Sequence, residues 1–176
     1  MSGVIDLASA LVRLAPTLTA AGAASVDIAV ADYIAAGYKK FIIEAKGVKG
    51  SVDDAQLSMY VKTGGAWGSP DYYLSSNGAN PPVLTYGAGG VVAFHSGTAA
   101  AANQIAAFTT EFTAPNAAAD AKIIQTRGAW YSGYSGIPVN KIDSTVLSIA
   151  ATAITDIRFM MSPGTLTGKF DIFGVK

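Results

Sequence analysis

Short stretches of alternating apolar and polar residues, separated by Gly, Pro, Asn and Asp, run through most of this chain. A period of two marks strands whose successive side chains face opposite sides of a sheet. Ser25 to Val30 sets Val26, Ile28 and Val30 against Ser25, Asp27 and Ala29. Tyr38 to Ala45 sets Phe41, Ile43 and Ala45 against Lys40, Ile42 and Glu44. Gln56 to Lys62 sets Leu57, Met59 and Val61 against Gln56, Ser58, Tyr60 and Lys62, the pattern of a strand with one wet face. Further strands are predicted near Gly90 to Phe94, Ala106 to Thr113, Ala121 to Arg127, Ser144 to Ile149, Ile154 to Met161 and Gly168 to Val175. The expected fold is all-β, a single antiparallel jelly-roll-like β-sandwich of about eight to ten strands.

Two stretches resist the alternation. Val4, Leu7, Ala8 and Leu11 have helix-compatible spacing, and alanine-rich Thr98 to Ala107 suits a helical turn. Residues 1–19 therefore read as an N-terminal arm, a first strand or a short helix, and residues 20–176 as the sandwich domain. Lys46 to Asp54 reads as a turn or longer loop, and Ser75 to Pro82 and Ala114 to Asp120 as irregular loops.

Twelve basic residues balance twelve acidic ones, and 14% of positions are charged. That balance lacks the basic footprint of a nucleic-acid partner. No run of about 18 apolar residues occurs, because Asp6, Arg13, Pro16 and Asp27 interrupt the most apolar region, so no membrane span is predicted. Met1 to Leu14 lacks the parts of a secretory signal and reads as mature protein. With no cysteine, disulfide and thiolate chemistry are excluded.

Candidate chemistry is sparse. The single histidine, His95, has Ser96 too close in sequence for triad geometry, and neither a nucleophile elbow nor a phosphate loop occurs. Asp53, Asp54, Glu44, Glu111 and Asp120 are the carboxylates from which a glycosidase-like pair would have to come. Asp53, Asp54 and Asp71 are the calcium candidates, without EF-hand spacing. No catalytic residue, cofactor or metal site is assigned, and a non-enzyme is expected. Trp67, Tyr72 and Tyr73 fall in one glycine-rich loop region and Trp130, Tyr131 and Tyr134 in another. Amphipathic rings there either form contact platforms for sugars or proteins, or roof the sandwich ends.

Leu18 to Ile28, Tyr38 to Val48 and Asp54 to Val61 before Gly64-Gly65 resemble the opening of small virion proteins of tailed bacteriophages: head decoration, head fibre and minor tail proteins. The ending is similar: Ile154 to Phe159, a turn at Ser162-Pro163-Gly164, then Leu166 to Val175. In that group the last strand reads like Gly-x-Phe-x-Leu-Tyr-Gly, and here Gly168-Lys169-Phe170-Asp171-Ile172-Phe173-Gly174 stands in its place. Ser75 to Lys141 carries no part of the resemblance. It implies a jelly-roll-like structural protein of the virion, assembled in the bacterial host cytoplasm as a homo-oligomer such as a trimer. Its partners would be other virion proteins of the capsid or tail. A module that binds a host glycan or receptor is the alternative, and a sandwich hydrolase the third class.

Overall fold

The structure is a computed structural model describing residues 11–52, 55–68, 72–75, 83–86, 91–95, 105–113, 122–131, 139–148 and 152–176. In chain order the described elements are β1 (Val12–Arg13), β2 (Leu18–Ala23), β3 (Ser25–Ala29), helix α1 (Ala31–Ala35), β4 (Lys40–Gly50), β5 (Gln56–Thr63), β6 (Ala66–Gly68) and β7 (Tyr72–Ser75). They continue with β8 (Val83–Tyr86), β9 (Val91–His95), β10 (Ala106–Thr113), β11 (Lys122–Tyr131), β12 (Val139–Ser148), β13 (Ile154–Ser162) and β14 (Leu166–Val175).

The strands form two antiparallel sheets. The larger has nine strands in the order β1-β14-β4-β10-β11-β12-β7-β8, with β2 also on β14. The smaller has five, β3-β13-β5-β6, with β9 also on β5. The protein is thus an all-β sandwich, as the alternation predicts. Its fourteen described strands exceed the expected eight to ten by the short strands β1, β2, β6, β7 and β8, and two sheet edges are each shared by two short strands. β1 pairs with the end of β14, at Phe173 and Gly174, and β2 with its beginning, from Leu166 to Phe170. β9 and β6 divide β5 in the same way.

The core lies between the sheets, where the apolar halves of the alternating strands meet. Phe159 of β13 touches Phe108 of β10 and Phe170 of β14, with ring centroids 5.7 and 5.4 Å apart. The buried Thr110 and Thr126 hydroxyls, on paired strands, lie 3.0 Å apart and share a hydrogen bond.

The Lys46 to Asp54 region is not a loop throughout, since β4 continues to Gly50. Gly47, at φ 64°, makes a bulge opposite Gly168, and the inward positions shift phase from Ala45 to Val48. The one described helix stands where the sequence pattern marks none. Residues 11–14 carry no helix, residues 1–10 are outside the described set, and α1 instead turns the corner between β3 and β4. Five residues do not form a stable helix alone. Tyr33 and Ile34 pack on the core, and the Tyr33 hydroxyl donates to the Leu14 carbonyl at 3.1 Å. Of Thr98 to Ala107, residues 98–104 lie outside the described set, and Ala106 and Ala107 begin β10.

The closing motif has a packing cause. Gly168, Phe170, Ile172 and Gly174 all face inward. A Cβ on Gly168 would stand 3.0 Å from Val48, and one on Gly174 would stand 2.6 Å from the Tyr38 ring and 2.9 Å from Leu14. The two glycines let neighbours close over each end of the strand while Phe170 fills the middle.

Candidate functional site

Five of the six aromatic candidates sit on strands instead of loops, and those strands are divided between the two sheets. Trp67 is on β6 of the smaller sheet, Tyr72 and Tyr73 on β7, and Trp130 and Tyr131 on β11 of the larger one. Tyr134 lies outside the described residues. Against β12, Trp130 pairs with Asn140 and Tyr73 with Val146. Those positions are six residues apart, about 20 Å along a strand.

Trp67 is the best defined of them. Its strand partner is Lys62, whose Nζ lies 5.7 Å from the ring centroid, and the Arg158 guanidinium carbon lies 4.1 Å from it. Arg158 also binds Asp27 through two parallel bonds, its Nε donating to Oδ1 at 2.7 Å and its Nη2 to Oδ2. Lys62 and Asp156 are 3.6 Å apart. A row of charges thus crosses the smaller sheet from β3 to β6, with Trp67 under its cations. The arginine hydrogen bond holds the Asp27 carboxyl below its ordinary 3.8, and the same bond raises Arg158.

A second network crosses the outer face of the larger sheet. Asp171 accepts from the Thr17 hydroxyl at 2.7 Å, pairs with Arg13, and lies 3.6 Å from Lys46 Nζ, which is 3.0 Å from Glu44. Lys40 and Glu111 pair at 2.6 Å one strand further on. The Thr17 hydroxyl does most to hold Asp171 below its ordinary value, assisted by Arg13 and Lys46. Between these charges Phe173 and Ile42 are direct cross-strand partners, both half-buried, and Ile123, 39% exposed, lies two strands beyond Ile42. Beside this network, Thr19, Lys46, Gly47, Thr167 and Lys169 line a cleft of about 300 Å³.

Of the carboxylate candidates, Glu44 and Glu111 are described, and each is engaged by a lysine. Glu44 is the direct partner of Asp171, and a depressed Asp171 is the reverse of the raised acid that a general-acid pair needs. Asp53, Asp54, Asp71 and Asp120 lie outside the described residues. His95 ends β9, opposite Gln56. Among the described residues no three His, Cys, Asp or Glu side chains are grouped as metal ligands, and no helix is long and apolar enough to cross a membrane.

Compared with known proteins, the chain matches no family model, no curated protein and no solved structure. Its function must therefore be argued from these faces.

Neither ion-pair network is visible in sequence, since Arg13 and Asp171 are 158 positions apart and Asp27 and Arg158 are 131 apart. Lys122 was also unforeseen. It is fully buried at the start of β11, and burial lowers its pKa from 10.5.

The two depressed aspartates set a pH dependence. Their folded pKa values lie below the unfolded 3.8, so between the two the unfolded chain binds more protons. Their contribution is complete above about 3.8 and is lost as pH falls through the folded values. Asp27→Asn should cost under about 1 kcal/mol at neutral pH, as for an exposed pair. Together with Asp171→Asn it should make the acid limb of stability shallower, measured by urea unfolding between neutral pH and pH about 2.

Proposed function

We propose that this chain is a non-enzymatic structural component of a tailed-phage particle, a capsid decoration or tail-associated subunit with a jelly-roll-like fold, acting through subunit contacts. The observation that carries the reading is a patch on the outer face of the larger sheet, where Arg13, Asp171, Lys46 and Glu44, and Lys40 with Glu111, are paired around Phe173 and Ile42. A neighbour seated on that patch, with exposed Lys169 and Arg127 left at its rim, buries no unpaired charge, which is the expensive event at an interface.

Two further points support it. The resemblance of both chain ends to small virion proteins is one. The other is strand order: β2-β14-β4-β10 faces β3-β13-β5-β9, so that the chain crosses between sheets at every step of this eight-strand set except from β5 to β9. Two sheets of four strands connected in this way are what a jelly-roll fold calls for, which supports that reading. Of the additional strands, β7, β8, β11 and β12 then widen the larger sheet, and β6 joins the smaller one.

Purified protein should bind particles that lack it, raise the temperature at which they disrupt, and ignore host cells. Ile42→Lys should weaken particle binding at least about tenfold, because Glu111 opposite it is already paired with Lys40 and the new lysine adds a charge in excess to the contact. Full binding by that variant overturns this face as the contact. Adsorption to cells that is lost in Trp67→Ala, with no affinity for particles, overturns the structural reading in favour of a host-glycan module.

A further inference from the structure

The open edge of β2 suggests what the partner of one surface is. A terminal strand leaves a row of backbone N–H and C=O groups unpaired, and proteins usually blunt such edges with charge, proline, a bulge or extreme shortness. Of the six edge strands among the described residues, β2 with six residues is the longest; β8 has four and β9 five, and the other three are blunted. β1 has two residues, one of them Arg13; β6 has three; β3 has five and carries Asp27 at its centre.

β2 is different. It ends the larger sheet along the first half of β14, and its sequence Leu-Thr-Ala-Ala-Gly-Ala has neither charge nor proline. Leu18 to Ala21 pair with Phe170 to Thr167 without interruption, and the bulge at Gly22, φ 71°, comes only where the chain leaves for the smaller sheet. Thr19 and Ala21 are exposed, and Ala20 faces the core at 4%. Among the described residues no backbone hydrogen bond satisfies the far side of this strand.

We propose that β2 pairs antiparallel with β2 of a second copy of this chain, joining two larger sheets into one continuous sheet about a two-fold axis. The occupant follows from chemistry and symmetry. A β-edge is completed by another strand, and a two-fold contact uses the same strand on both sides. Residues opposite one another in an antiparallel pair share a face. With the axis at Ala20, the two Ala20 residues face each other inward, and Thr19 of each copy faces Ala21 of the other on the outside. The small side chains oppose no charge. Lys169, on the next strand, lies about three strand spacings, roughly 14 Å, from its counterpart, beyond the screening length of about 8 Å at physiological salt. The same pairing of β3 would set Asp27 against Asp27.

This deepens the proposed structural role by naming a self-contact, and its test uses no particle, so the two can fail separately. Sedimentation equilibrium from micromolar to millimolar protein should show reversible association from 17.9 kDa to twice that mass. Thr19→Lys with Ala21→Lys places two like-charge pairs in the contact and should weaken dimerisation about tenfold or more. Thr19→Lys with Ala21→Glu changes the same exposed positions but makes the pairs opposite in sign, and should restore the dimer. Thermal melting of each variant reports that the fold is kept. A monomeric or trimeric wild type, or equal dimerisation of the two double variants, overturns the proposal.

Discussion

Replacing Phe159 by Ala is expected to remove about 3–5 kcal/mol of stability. Phe159 is fully buried on β13 of the smaller sheet, and both its ring neighbours, Phe108 and Phe170, belong to the larger one. The ring therefore ties the sheets together in addition to filling volume. Deleting it leaves a cavity bounded by strands that cannot easily collapse, since β10, β14 and β4 are locked in one ladder. Unfolding in urea should show a large drop in midpoint with little change in slope. Phe159→Leu, which keeps most of the volume, should lose considerably less. A loss under 1 kcal/mol for Phe159→Ala would mean that the sheets are held together elsewhere.

The same strand shows why part of this fold was legible in sequence. Ile157, Phe159 and Met161 alternate with Asp156, Arg158 and Met160, so β13 could be read directly, as could β3, β5, β10 and β14. The reading failed where the period breaks or has too little to mark it. In β4 the bulge at Gly47 shifts the apolar phase, and alternation stops at Ala45 although the strand continues for five residues more. β2 is built of residues too small for an apolar period to show, and α1 is too short for a helical one. The charge networks were illegible for another reason: Asp171 meets Thr17 and Lys46 only because β14 returns to lie beside β2 and β4. Sequence showed an architecture, while the surfaces on which the functional reading rests depend on which strands become neighbours.

Gly128 tests one such neighbour relation. It is the direct partner of Phe108 on β10, and its backbone is of ordinary hand, so left-handed conformation is not the reason for a glycine. Space is the reason. A Cβ there would stand 2.3 Å from the Ala107 carbonyl oxygen and 2.6 Å from Phe108 Cα, both backbone atoms. A flexible side chain could swing aside, but this part of β10 is paired to β4 on its other edge, next to the bulge between Ala106 and Phe108. Gly128→Ala should therefore destabilise by about 1–3 kcal/mol or more through overpacking, where an ordinary surface glycine in a strand would gain from alanine. Hydrogen exchange should locate the damage in the Ala106 to Phe108 amides and their partners on β11, with the β13–β5 ladder less affected. If Gly128→Ala is neutral and those amides stay protected, the β10 backbone does not approach Gly128 this closely.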